Sequence, residues 1–175
     1  MRTIRPYLPP SLPAWFIAIG GVIRLVIFYA IVPWVLSLVG PRYGWSAGMP
    51  SLPNLLGLAI TGGGVSLLLW CISLHITSYS SLSPSDSYPP SLLVGGPYRF
   101  SRNPMYIADV AIWLGWALFY GSIPVLIAAL CFVGFLAFVP VPSEERQLLA
   151  RFGDEYQLYK RSVPRWAGRR HRPAP

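Results

Sequence analysis

Apolar residues gather along the chain in four long runs, from Ala14 to Val39, Leu52 to Ile76, Met105 to Tyr120 and Ile123 to Val141. A helix that crosses a bilayer needs about 20 such residues, within a range of roughly 17–25. The first two runs are ample and the fourth is adequate. The third reaches that range only with the help of Pro104 and its neighbours. Only Gly121 and Ser122 separate the third run from the fourth, which predicts a tight helical hairpin. A different pattern follows. Leu148, Phe152, Tyr156, Tyr159 and Val163 recur at steps of four, four, three and four, so they share one face of a helix. Arg151, Asp154, Lys160 and Arg161 occupy the opposite face. This predicts an amphipathic helix over 143–163, capped by Ser143, opening on Glu144 and Glu145, and open to division at Gly153. Such a helix lies on a membrane surface or folds back over the bundle as a lid.

The expected fold is therefore all-α: a polytopic membrane bundle of about four transmembrane helices, over 14–39, 52–76, 105–120 and 123–141, plus the C-terminal amphipathic cytosolic helix. All of 1–175 is read as one domain, the usual size for a single compact unit. Tyr79 to Asn103 is rich in Ser and Pro, and Gly95-Gly96-Pro97 is a turn signal, so this stretch is predicted as a loop.

Composition strengthens the membrane reading. The chain is 54% hydrophobic and 11% charged, against about 25% charged in an average soluble domain. Arg2 and Arg5 precede the first run, but that run is far longer than the roughly 7–15 apolar residues of a secretory signal, so it is read as a retained span. With the N-terminus inside, four spans place Arg2, Arg5, Arg99, Arg102 and every basic residue from Arg146 to Arg172 on one side. Arg42 falls opposite and Arg24 within a span. This positive-inside bias predicts a multi-pass protein of the bacterial inner membrane or an equivalent, with both termini cytosolic. The net charge of +8 then describes a face suited to anionic lipid headgroups rather than to nucleic acid. Cys71 and Cys131 lie in apolar runs without metal-ligand spacing, and neither His75 nor His171 has a partner in sequence that marks a metal site or a triad. No metal is expected, and no histidine is expected in the site.

Topology brings the Gly95 to Tyr106 segment and the Glu144-Glu145 pair to one edge of the membrane. The ordered residues Gly96-Pro97-Tyr98-Arg99-Phe100-Ser101-Arg102-Asn103-Pro104-Met105-Tyr106, then Glu144-Glu145-Arg146, Leu148, Phe152-Gly153, Tyr156, Tyr159 and Val163-Pro164-Arg165, resemble the isoprenylcysteine carboxyl methyltransferase and phospholipid methyltransferase superfamily. The resemblance covers about the last half of the chain in detail. It implies an integral-membrane enzyme that uses S-adenosylmethionine to methylate a lipophilic or membrane-borne acceptor. It also implies that Tyr98, Arg99, Arg102, Asn103, Pro104, Tyr106, Glu144 and Glu145 bind that cofactor, with Arg102, Asn103 and Glu145 closest to catalysis. The residue types suit the task. Carboxylates accept from the amine and ribose hydroxyls and face the sulfonium, guanidiniums donate to the carboxylate, and tyrosine faces suit adenine or a cation. Many members of the superfamily carry His where this chain has Asn103, and often a glycine pair where it has Ser78-Tyr79-Ser80; serine there is expected to narrow the pocket.

Without a histidine in the site, a carboxylate or thiol acceptor is favoured over a protonated amine, which must first lose a proton. Two charges lie inside the spans. Asp109 is five residues past Pro104, about 7.5 Å along a helix, and so near the predicted site. Arg24 is deeper, and Asp109 is one candidate partner for it. Two rival functions fit less of the pattern: a non-enzymatic membrane module or small transporter, and an NADPH-dependent reductase of the sterol-reductase type.

Overall fold

The computed structural model describes residues 14–80 and 91–168. Arg2 and Arg5, the middle of the predicted loop (81–90) and the basic tail with His171 lie outside them. The described chain is mostly helical. Helix α1 (Ala14–Val26) runs through a π-helical turn (Ile27–Ile31) into α2 (Val32–Leu36). A short antiparallel hairpin follows, β1 (Trp45–Ser46) and β2 (Met49–Pro50). Then come α3 (Leu52–Ser80), a 3₁₀ turn (Gly96–Arg99), α4 (Pro104–Tyr120), α5 (Ile123–Phe138) and α6 (Pro140–Ser162).

Two helical stretches are long and apolar enough to cross a membrane, Leu52–Ser78 and Ile123–Ser162, and two shorter apolar helices accompany them, Gly20–Leu36 and Pro104–Tyr120. Their outward side chains include Leu56, Leu69, Trp70, Ile127, Leu130 and Phe135, all exposed. A belt of large apolar residues turned outward on α3 and α5 is what lipid solvent permits and water does not.

The centre of the bundle is the antiparallel pair α3 and α4. A Cβ on Gly57 would run into the backbone of Gly115 and Phe119, and one on Gly115 would run into Thr61. A Cβ on Gly64 would come within 2.9 Å of the Ala108 carbonyl oxygen. Small residues at 57, 61 and 64 therefore let the two backbones touch, the usual way helices gain contact where lipid removes the hydrophobic drive. Gly121 closes the α4–α5 hairpin with φ 56° and its carbonyl accepts the Tyr43 N–H at 2.9 Å. Asn54 fastens the same end by donating to the carbonyls of Tyr43, Leu118 and Phe119 at 3.0–3.1 Å.

Pro33 explains the π turn. It has no N–H for the Tyr29 carbonyl four residues back, and its ring crowds that carbonyl. The helix widens, and Trp116 Nε1 donates to the freed oxygen at 2.6 Å.

Several expected boundaries move. Helix α3 continues to Ser80, into the predicted loop. The first run ends its helix at Leu36 and the fourth at Phe138. The last helix starts at Pro140, not at a Ser143 cap, because Pro140 and Pro142 both fall in the first turn, where a missing N–H breaks no helical bond. Ser143 lies inside the helix and accepts from Gln147 at 3.5 Å. Gly153 does break α6, with φ 49° and ψ −120°. The amphipathic face is as expected: Tyr156, Tyr159 and Val163 are buried against Leu92, with Leu148 and Phe152 packed beside them.

Candidate functional site

The C-terminal end of α6 binds down the segment that leads into α4. Arg102 N–H donates to the Pro164 carbonyl at 3.0 Å. Ser101 Oγ and Asn103 Nδ2 both donate to the Arg165 carbonyl, at 3.1 and 3.0 Å. Tyr159 hydroxyl donates to the Tyr98 carbonyl at 2.8 Å. Pro104 then opens α4 at a position that suits its fixed φ. Burial pushes the Tyr98 and Tyr159 phenols far above their ordinary range, so both are neutral donors.

Beneath this strap lies a buried ion cluster. Glu145 Oε1 accepts from Arg102 Nη1 at 2.6 Å, with both side chains less than a tenth exposed. Arg165 forks onto the same carboxylate, Nη2 to Oε2 at 2.6 Å and Nε to Oε1 at 3.1 Å. Tyr156 lies 3.4 Å from Arg102 Nη1. Burial raises the Glu145 pKa, but the Arg165 hydrogen bond and the charges of Arg102, Arg165 and Lys160 outweigh it, so the carboxyl is held below its usual range. Among the described residues Arg102 Nε is buried without a hydrogen-bond partner.

Tyr98, Arg102 and Glu144 form the common wall of two adjoining recesses. One, of about 210 Å³, is lined also by Asn103, Pro104, Met105, Tyr106 and Asp109 on the α4 side. The other, of about 90 Å³, lies under α6 and adds His75, Leu92, Leu93, Leu148, Phe152 and Tyr159. Glu144 is exposed at the mouth, where its Oε2 accepts from the Tyr106 hydroxyl at 3.0 Å. Asp109 is 8% exposed and accepts from the Tyr29 hydroxyl at 2.7 Å.

The donor set fits S-adenosylmethionine. The unpartnered Nε of a buried guanidinium is a donor in search of an anion such as an amino-acid carboxylate. Glu144 and Asp109 offer acceptors for the amine, the hydroxyls and the positive sulfur, and Tyr98 and Tyr106 offer flat faces.

Tyr98, Arg102, Asn103, Pro104, Tyr106 and Glu144 thus come together. Glu145 comes with them, but inside the ion cluster, with both oxygens occupied by guanidiniums. Arg99 does not: it is exposed on the 3₁₀ turn and lines neither recess. Ser78 also lines neither, and its hydroxyl donates to the Leu74 carbonyl at 2.8 Å. The side chains of Tyr79 and Ser80 lie outside those described. Two residues enter that the sequence reading did not place there. Arg165 stood in the quoted pattern, as a basic residue just past the helix end. His75, expected to be absent from the site, lines the recess under α6, with its ring edge-on to Tyr98. Arg24 is exposed and does not pair with Asp109: among the described residues the salt bridges are Arg102–Glu145 and Arg165–Glu145.

A family model described as phospholipid methyltransferase matches residues 54–155, which include α3 from its third residue onward and the glutamate pair. A protein of Haemophilus influenzae, described as uncharacterized, is 34% identical over 62 residues, 35% of this chain and 98% of that protein. No solved structure matches significantly.

Proposed function

The chain belongs to the phospholipid methyltransferase family, and on that premise we propose that it binds S-adenosylmethionine in the recess on the α4 side and methylates a lipophilic acceptor delivered from the bilayer. One observation carries the reading: Arg102 and Glu144, from segments far apart in the chain, wall the same recess. When bound, the cofactor supplies an activated methyl carbon on a sulfonium. Arg102, Asn103, Tyr106 and Glu144 hold and orient it, Asp109 lies at the α4 wall, and α6 shields the site from water. Alignment of the reacting groups alone is worth about 7–11 kcal/mol of barrier, so no protein nucleophile is required. Glu145 serves in this scheme by fixing Arg102 rather than by touching the cofactor.

The membrane setting follows from the same premise. We read four spans, with the recess and both termini on the cytosolic side where the basic residues collect. Helix α4 has 17 residues and so rises about 26 Å, a little less than the roughly 30 Å of hydrocarbon; its N-terminus, and the recess there, sit at the interface rather than in water. A lipid acceptor meets the site without leaving its leaflet.

The test is binding of labelled S-adenosylmethionine to the purified protein in nanodiscs, with NADPH as competitor, followed by separation of labelled lipid, protein and volatile products after incubation with membranes. Saturable binding that Glu144→Gln weakens and NADPH leaves alone is expected. Binding of NADPH, or of neither, overturns the proposal.

A further inference from the structure

We infer that His75 is the proton acceptor for the methyl acceptor, and that the acceptor is therefore a nucleophile carrying its own proton, an amine or thiol on an apolar chain. This rests on the methyl-transfer reading of the recess and extends it. His75 Nδ1 lies 3.0 Å from the carbonyl oxygen of Cys71, one turn back in α3. A carbonyl only accepts, so Nδ1 carries the ring proton and Nε2 is left with a lone pair. The ring stands edge-on to Tyr98, with centroids 5.8 Å apart and the Tyr98 hydroxyl 3.5 Å from Nδ1. It lines the recess under α6, which Leu92, Leu93, Leu148 and Phe152 make the more apolar side of the site, where an alkyl chain belongs. The charged and titratable groups sharing that recess are Arg102, Glu144, Tyr98 and Tyr159. The phenols are neutral, Arg102 is matched by Glu145, and Glu144 hydrogen-bonds Tyr106 at the mouth. The imidazole nitrogen holds the remaining lone pair among them that can take a proton.

The step balances. The N–H or S–H proton of the acceptor passes to Nε2, and the electron pair left on the acceptor's nitrogen or sulfur forms the bond to the methyl carbon that the cofactor would supply. The carbon–sulfur pair returns to sulfur, and the imidazolium yields its proton to water. A carboxylate acceptor has no proton to lose and gains nothing from His75.

Two measurements test this. The chain has 2 histidines, so nitrogen-15 NMR of histidine-labelled protein carrying His171→Gln reads the tautomer of His75 directly, with no cofactor present. A proton on Nδ1 is expected, and a proton on Nε2 overturns the assignment. His75→Gln is then compared with the parent protein for S-adenosylmethionine binding and for transfer to octanethiol, to phosphatidylethanolamine vesicles and to a prenylated cysteine carboxylate. Cofactor affinity should stay within about 2-fold, while thiol or amine transfer relative to carboxylate transfer falls about 100-fold, the lower range for a general base. The thiol and amine arms tell the two nucleophiles apart. An unchanged ratio overturns the role of His75. Failure of the parent protein to bind the cofactor overturns instead the reading beneath it, whatever the tautomer.

Discussion

Arg102 and Glu145, 43 residues apart in the chain, meet at 2.6 Å in a site closed to solvent, while Glu144, the next residue along, stands exposed at the recess mouth. Successive residues on a helix point about 100° apart, so two identical side chains in sequence take up two different tasks. Glu145→Gln leaves a buried guanidinium without its counter-charge, a change that costs about 3–5 kcal/mol. Arg165 is 42% exposed, so Arg165→Gln should cost less than about 1 kcal/mol after solvent screening. Glu144→Gln should leave stability nearly unchanged and weaken S-adenosylmethionine binding at least about 10-fold, the loss of a charge-assisted hydrogen bond. Thermal unfolding in micelles and cofactor titration separate the three. Equal destabilisation by both glutamate variants would contradict the division of roles.

The same carboxylate makes stability depend on pH. The pKa of Glu145 in the folded protein lies below its value of about 4.3 in an unfolded chain. A depressed acid stabilises the fold fully above the unfolded pKa, and that contribution is lost as pH falls through the folded one. The melting-temperature gap between wild type and Glu145→Gln should therefore be constant from pH 7 to about pH 5 and narrow below about pH 4. A gap that persists undiminished at pH 3 would assign the stabilisation to something other than ionised Glu145.

The close approach of α3 and α4 gives a prediction with an internal control. Gly57, Gly64 and Gly115 face the partner backbone, whereas Gly62 and Gly63, on the same helix as the first two, have open space where a Cβ would go. Gly57→Ala and Gly115→Ala should each cost about 1–3 kcal/mol by forcing the backbones apart. Gly62→Ala and Gly63→Ala should be neutral or stabilising by a few tenths to about 1 kcal/mol through helix propensity. Thermal melts of the four variants suffice. Indifference at 57 and 115 would mean the two helices are not in backbone contact.

What could be read from the sequence was whatever repeats locally. The steps from Leu148 to Val163 mark a helical face without reference to the rest of the protein, and that face is the one buried against Leu92. Gly121 and Ser122 mark the hairpin because two residues leave the chain no other course. Arg102, Asn103, Tyr106 and Glu144 were legible as a set only through the resemblance that their ordered motif carries. The rest depended on contacts between distant segments. Nothing near Glu144 and Glu145 tells which of them turns inward; Arg102 and Arg165, from elsewhere, decide it. His75 looked like the ragged end of an apolar run because its neighbour in space, Tyr98, is 23 residues away. The π turn needs both Pro33, which frees a carbonyl, and Trp116, which claims it. Ser143 has the right residue type for a cap, but a cap also needs the helix to begin there, and two prolines ahead of it start the helix sooner.

Asp109 supplies the last case, because its partner is a hydroxyl and not the arginine its charge invites. Tyr29 donates to it at 2.7 Å across from the π turn, while Arg24 is exposed. Tyr29→Phe strips a buried carboxyl of its donor and should cost about 1–3 kcal/mol, whereas Arg24→Ala, at an exposed position, should stay within about 0.5 kcal/mol of wild type. A double-mutant cycle makes the distinction sharper. Tyr29→Phe combined with Asp109→Asn should show a coupling energy of about 0.5–3 kcal/mol, and Arg24→Ala combined with Asp109→Asn should be additive within about 0.5 kcal/mol. Since Asp109 lines the recess as well, the Tyr29 variant should also weaken cofactor binding, and the Arg24 variant should not. Strong coupling between Arg24 and Asp109 would mean that these two charges, rather than the phenol, hold the carboxylate in the membrane.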